Sequence, residues 1–188
     1  MNKFMILCMS ACVAVLTFAF HMPGSDLVKK QLTENIQVSL PATFLPMDEN
    51  MLSERYLSAR KPIAAFTNEN QLVDFTVNTS NTRWGVDDLP ILKDFYKASL
   101  MELYDEVEFS RAEIEEINKQ PYVVFEFTSV VRPEENAMSM QQPVLKYTRV
   151  QYTVYDNETL VFNFSCPQMR QQEWAPTARE IMQSIKLK

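Results

Sequence analysis

The chain has 188 residues, 46% of them hydrophobic and 11% aromatic, enough for one ordinary domain with its own core and too few for two large ones. Its formal charge of -6 is spread through polar stretches, so it carries no basic footprint for a phosphate backbone, and nucleic acid is excluded as a partner. Its two glycines, Gly24 and Gly85, stand far apart, which removes glycine-rich nucleotide loops.

Residues 1–20 contain an uncharged apolar run from Phe4 to Phe20 after Lys3 and read as an export signal. Small residues at Thr17 and Ala19 favour cleavage after Ala19. The run is also nearly long enough to stay as an anchor and tether the protein to a membrane. Lipidation at Cys12 is a third route, disfavoured because the apolar run continues through Val13, Val15 and Leu16. The expected location is therefore outside the cytoplasm: periplasmic, envelope-associated or secreted. Cys8 and Cys12 lie in this leader, leaving Cys166 alone in the body, so no internal disulfide is expected after cleavage.

Residues 21–35 read as a polar linker, and the folded domain as residues 36–188. Ile36–Leu40 alternates as a strand closed by Pro41. Arg55–Ala59 and Ile63–Phe66 read as short extended pieces, and Leu72–Val77 as a better strand. The period then changes: Leu92, Phe95, Tyr96, Leu100 and Leu103 recur at helical spacing, predicting a helix over Asp88–Tyr104 with Asp87 and Asp88 at its positive end.

Three long strands are expected next. The first, around Val107, Phe109, Ile114 and Ile117, alternates imperfectly. Tyr122–Val131 follows a turn at Asn118–Pro121, and Tyr147–Tyr155 follows a polar loop over Arg132–Pro143. Asp156-Asn157 should fold the last of them into a hairpin with Leu160–Phe164. A closing helix near Gln171–Ile185 places Trp174, Ala178, Ile181, Met182 and Ile185 on one face, with its regular part starting near Trp174 because Pro176 belongs in a first turn. The fold class is α/β of the α+β type: a largely antiparallel sheet with amphipathic helices packed on it in an α/β/α sandwich.

In layout and local texture this resembles the PsbP-like superfamily, which includes thylakoid oxygen-evolution proteins, DcrB-type bacterial envelope proteins and Mog-type Ran-binding proteins. Val38-Ser39-Leu40-Pro41 resembles the first strand of that family and Leu160–Pro167 its last strand. Trp174 with Glu180–Lys186 resembles the closing helix. The resemblance implies the fold and a non-enzymatic binding or assembly role, with no shared functional motif to carry over.

Catalytic signals are few. His21, the single histidine, lies at the end of the leader, so histidine triads and most zinc sites are excluded from the body. Cys166 has no local cation or helix N-terminus to activate it and reads as a strand-end packing residue. The carboxylates Glu102, Asp105, Glu106, Glu108, Glu113, Glu115 and Glu116 read as a solvated acidic face, not a glycosidase or calcium site. Met138-Ser139-Met140 could hold Cu(I) in an exported protein, with Met47, Met51 and Met169 also outside the apolar periodicities. Methionines serve more often as adaptable packing or a docking surface, and the same loop with Val144 reads instead as a partner-binding lip that needs no metal. The leading expectation is an exported, non-enzymatic binding or accessory protein with no cofactor and with a protein or small ligand as partner. A Cu(I)-handling module and a hydrolase are the alternatives.

Overall fold

The computed structural model describes residues 26–56, 61–80, 82–133 and 142–188. Ten strands and three α-helices are seen among these residues: β1 Leu27–Gln31, β2 Ile36–Pro41, β3 Leu45–Pro46, α1 Glu49–Arg55, β4 Ala64–Thr67, β5 Asp74–Thr79, α2 Leu89–Leu103, β6 Glu106–Ile117, β7 Gln120–Val131, β8 Val144–Tyr155, β9 Glu158–Pro167, α3 Gln171–Gln183 and β10 Lys186–Leu187. Seven strands form one antiparallel sheet in the order β3-β4-β5-β9-β8-β7-β6, and a small sheet has the order β1-β2-β10. None of the described helices is long and apolar enough to cross a membrane.

The long strands hold their register through two matching turns. Asn118-Lys119 and Asp156-Asn157 all have positive φ, between 50° and 68°, and each pair joins its strands as a two-residue loop whose twist suits a hairpin. Asn118 also donates through Nδ2 to the carbonyls of Gln183 (3.0 Å) and Ile185 (2.8 Å), tying the first turn to the end of α3. The imperfect alternation of β6 has a local cause: its register against β7 shifts between Phe109 and Arg111, a bulge that moves the apolar positions to the other parity.

Alternate side chains divide the large sheet between two cores. On one face Phe75, Val77, Tyr122, Val124, Phe162 and Phe164 pack with α3 and the small sheet; on the other Val123, Phe125, Phe127, Val150 and Tyr152 pack with Leu89, Leu92 and Leu100 of α2. The sandwich expected from the sequence is thus observed, with the small sheet sharing the α3 layer. Ile181, Met182 and Ile185 are fully buried, Trp174 is half-buried against Phe44 and Phe164, and Arg179, Glu180, Gln183 and Lys186 are exposed.

Four sequence readings need correction. Leu27–Gln31, taken as linker, is a strand paired with β2 from Leu27↔Pro41 to Gln31↔Gln37; its polar residues are those of an edge strand with little buried surface. Arg55 ends a helix instead of opening an extended piece. That helix buries no residue, so it leaves no apolar stripe to read, and it depends on Asp48, which accepts from the Met51 amide at 2.8 Å. Asp88 does not cap α2 with its side chain but reaches back to the Gly85 amide at 2.8 Å. Finally, α3 begins at Gln171 and runs through Pro176, which is exposed; the carbonyl deprived of a partner is that of Gln172, also on the water side.

Candidate functional site

Within the α2 core, one row crosses the sheet through paired residues: Phe109, Phe127, Thr148, Ser165 and Asp74. The ring-bearing end lies in the α2 core, and Tyr104, just after the helix, contacts Phe127 at 5.8 Å between ring centroids. Beyond it the row turns polar, and a groove of about 540 Å³ opens over the polar part. Thr148, Asn163 and Ser165 line it from the sheet, Arg55 and Tyr56 from the end of α1, and Tyr104 from the end of α2.

Local geometry fixes the walls. The Arg55 guanidinium donates to both oxygens of Asp74 at 2.9 Å and to the Gln71 carbonyl at 2.9 Å. Gln71 is presented by a turn with φ of 56°, which Asn68 organises by accepting from the amides of Leu72 and Val73. Burial, with the nearby Asp74 carboxylate, pushes the Tyr56 hydroxyl up to about 12, and burial also raises that of Tyr104. Both phenols are neutral donors at physiological pH. By contrast, Thr148, Asn163 and Ser165 make no side-chain hydrogen bond to another described residue, so hydroxyls and an amide line the floor with unused capacity.

Cys166 reaches the groove's edge from the opposite core. It is 2% exposed, and burial pushes its thiol up to about 12, so it is protonated at neutral pH and a poor nucleophile. Val144, at the start of β8, is exposed and lines the groove; Met138 and Met140 lie outside the described residues. Of the other methionines singled out from the sequence, Met47 is buried, Met51 half-buried and Met169 92% exposed. Among the described residues no three His, Cys, Asp or Glu side chains are grouped to hold a metal. The acidic face is partly neutralised: Glu113 and Glu115 pair with Arg111, and Glu106 with Arg132.

No protein-family model matches the chain, and no curated protein matches it by sequence. Solved structures do match. The solution structure of cyanobacterial PsbP (CyanoP) from Synechocystis sp. PCC 6803 superposes with a TM-score of 0.60 at 11% identity, covering 97% of this chain and 99% of that one. The Saccharomyces cerevisiae Ran-binding protein Mog1p superposes with a TM-score of 0.52 at 12% identity, covering 86% and 96%. The chain has the PsbP/Mog-type fold. At these identities the likeness concerns the backbone arrangement, and the groove's residues must be argued on their own chemistry.

Sequence reading passed over most of the floor. The signal was present in β9, where Leu160, Phe162, Phe164 and Cys166 alternate with Val161, Asn163 and Ser165: the apolar set faces the α3 core, and Asn163 and Ser165 line the groove.

Proposed function

We propose that this chain is an exported, non-enzymatic binding or assembly-accessory protein whose partner enters the groove between α1 and α2. The observation that carries the reading is the floor of Thr148, Asn163 and Ser165, whose side chains make no hydrogen bond to another described residue, beneath half-exposed apolar walls. Polar groups left without partners in a concavity lose less by binding a ligand than by remaining poorly solvated. The fold's occurrence in a Ran-binding protein supports a protein partner here. Supporting a non-catalytic role, the thiol at the groove is held protonated and no histidine is found among the described residues. Export rests on the apolar run from Phe4 to Phe20.

A photoreactive phenylalanine analogue placed at Val144, and separately at Ile91 on the exposed side of α2, tests the groove in intact cells. The reading expects an adduct of defined mass from position 144 and none from position 91. Equal labelling from both, or none from 144, would overturn it. Cell fractionation with intact-mass measurement tests export, which fails if the unprocessed chain stays in the cytoplasm.

A further inference from the structure

We propose that the groove selects an extended peptide carrying an acidic side chain next to an apolar one. This rests on the binding role proposed above and adds the chemistry of the partner.

Three features of the groove point to peptide. Its floor offers neutral groups, two hydroxyls and an amide, that each both donate and accept, which matches the alternating N–H and C=O groups of an extended main chain. Beside them β8 runs on past its neighbour: β9 ends at Pro167 opposite Lys146, so Val144 and Leu145 pair only with β7. Val144, Leu145 and Lys146 belong to the groove lining, and a segment laid there would follow the line of β9 beside the turn Gln168–Arg170, which packs near β8 without pairing to it. The lip is apolar, with Leu72, Val144 and Leu145 all between 44% and 51% exposed, which suits a peptide side chain and has no use for a wholly polar ligand such as a free sugar.

Charge selects the acidic partner. Arg55 has its fork occupied by Asp74 and the Gln71 carbonyl, so this pair offers no net charge to a ligand. Lys146 is exposed at the rim, next to the stretch of β8 that β9 leaves unpaired, and has no ion pair among the described residues. With Arg55 and Asp74 cancelling, Lys146 leaves the groove lining with one net positive charge on a chain of formal charge -6, and Glu106 and Glu108 lie outside that lining, beyond Leu145. Such a local reversal of sign favours an anionic partner and disfavours further copies of this acidic chain.

Three degenerate hexapeptide pools, acetylated and amidated, test this on the full chain. Each has Leu, Val, Ser and Thr at five positions, with Glu, Gln or Lys fixed at the third. Titration calorimetry measures affinity, and amide shifts at Thr148, Asn163 and Ser165 locate it. The Glu pool should bind best, exceeding the Lys pool by roughly three- to tenfold, as expected for one partly exposed ion pair against its repulsive counterpart. Lys146→Glu, at an exposed position, should invert the order without changing the melting temperature. Binding with no charge preference, or a preference unchanged by Lys146→Glu, overturns the proposal. If none of the pools binds while Val144 still crosslinks a partner, the peptide chemistry is wrong and the groove reading stands; if neither occurs, both fall.

Discussion

Each face of the large sheet carries a row that is apolar at one end and polar at the other, but the two polar ends are built differently. On the α3 face one row runs Arg111, Glu126, Arg149, Phe164, Phe75 and Phe66, with charges over β6–β8 and rings over β9–β4. The charges pair with one another, while Nε and Nη2 of Arg149 make no hydrogen bond to a described residue. Arg149 has no exposed surface and donates to Glu126 at 2.6 Å, Arg179 from α3 reaches the same carboxylate at 3.0 Å, and Glu115 lies 3.7 Å from Arg149. On the α2 face the row Phe109, Phe127, Thr148, Ser165 and Asp74 has its rings over β6 and β7, and Thr148 and Ser165, with Asn163 beside them, make no side-chain hydrogen bond to another described residue. The charged set of the α3 face is thus buried and mutually paired, whereas the hydroxyls and amide of the α2 face line a groove that a ligand can enter.

The strongest way to break that comparison is to remove one member of the closed set. Arg149→Ala strands the Glu126 carboxylate in a buried position with one remaining partner and should cost about 3–5 kcal/mol in urea denaturation. Replacing both, as Glu126→Leu with Arg149→Met, should recover most of the loss. If Arg149→Ala is as stable as wild type, the network is not part of the fold's support.

Next in size is the apolar half of the same face. Ile181→Ala removes a fully buried side chain and should cost about 2–5 kcal/mol, whereas Gln183→Ala, on the water side of the same helix, should stay within about 0.5 kcal/mol. Equal small effects would mean that α3 does not pack on the sheet.

A smaller effect should follow pH. Burial alone would raise the Glu126 carboxyl, but Arg179, Tyr147 and Arg149 outweigh it and hold it below the ordinary carboxylate range. A carboxyl depressed in the folded state contributes its stabilisation above its unfolded-state value and loses it as pH falls through the depressed one. The urea midpoint should therefore drop on acidification below the ordinary range, and Glu126→Gln should flatten that part of the profile. An unchanged slope in the variant would assign the acid sensitivity to other groups.

The least stability should be lost in the open half. Thr148→Val and Ser165→Ala remove groups with no side-chain partner among the described residues and should shift stability by no more than about 0.5 kcal/mol while weakening capture by the groove. A large destabilisation would show that these hydroxyls support the fold, and the distinction between the two polar halves would fail.

The sequence by itself determined the elements that carry a strong period. Leu92, Tyr96 and Leu100 announced α2, and Ile181, Met182 and Ile185 announced the buried stripe of α3. The two hairpin turns were legible because Asn and Asp tolerate positive φ. A helix or strand that buries a face must write that face into its own residues, so local spacing suffices. Elements with little burial, α1 and β1, left no such trace.

Only the tertiary structure decided which polar residues mattered. Arg149 and Glu126 are 23 residues apart, and Arg55 and Asp74 19 apart, and nothing in local spacing marks either pair as partners. Thr148, Asn163 and Ser165 become a floor only because β8 and β9 lie side by side and α2 stops short of them. Whether a polar side chain is satisfied depends on which strands and helices surround it, and that neighbourhood is set by long-range packing, not by any residue's sequence neighbours.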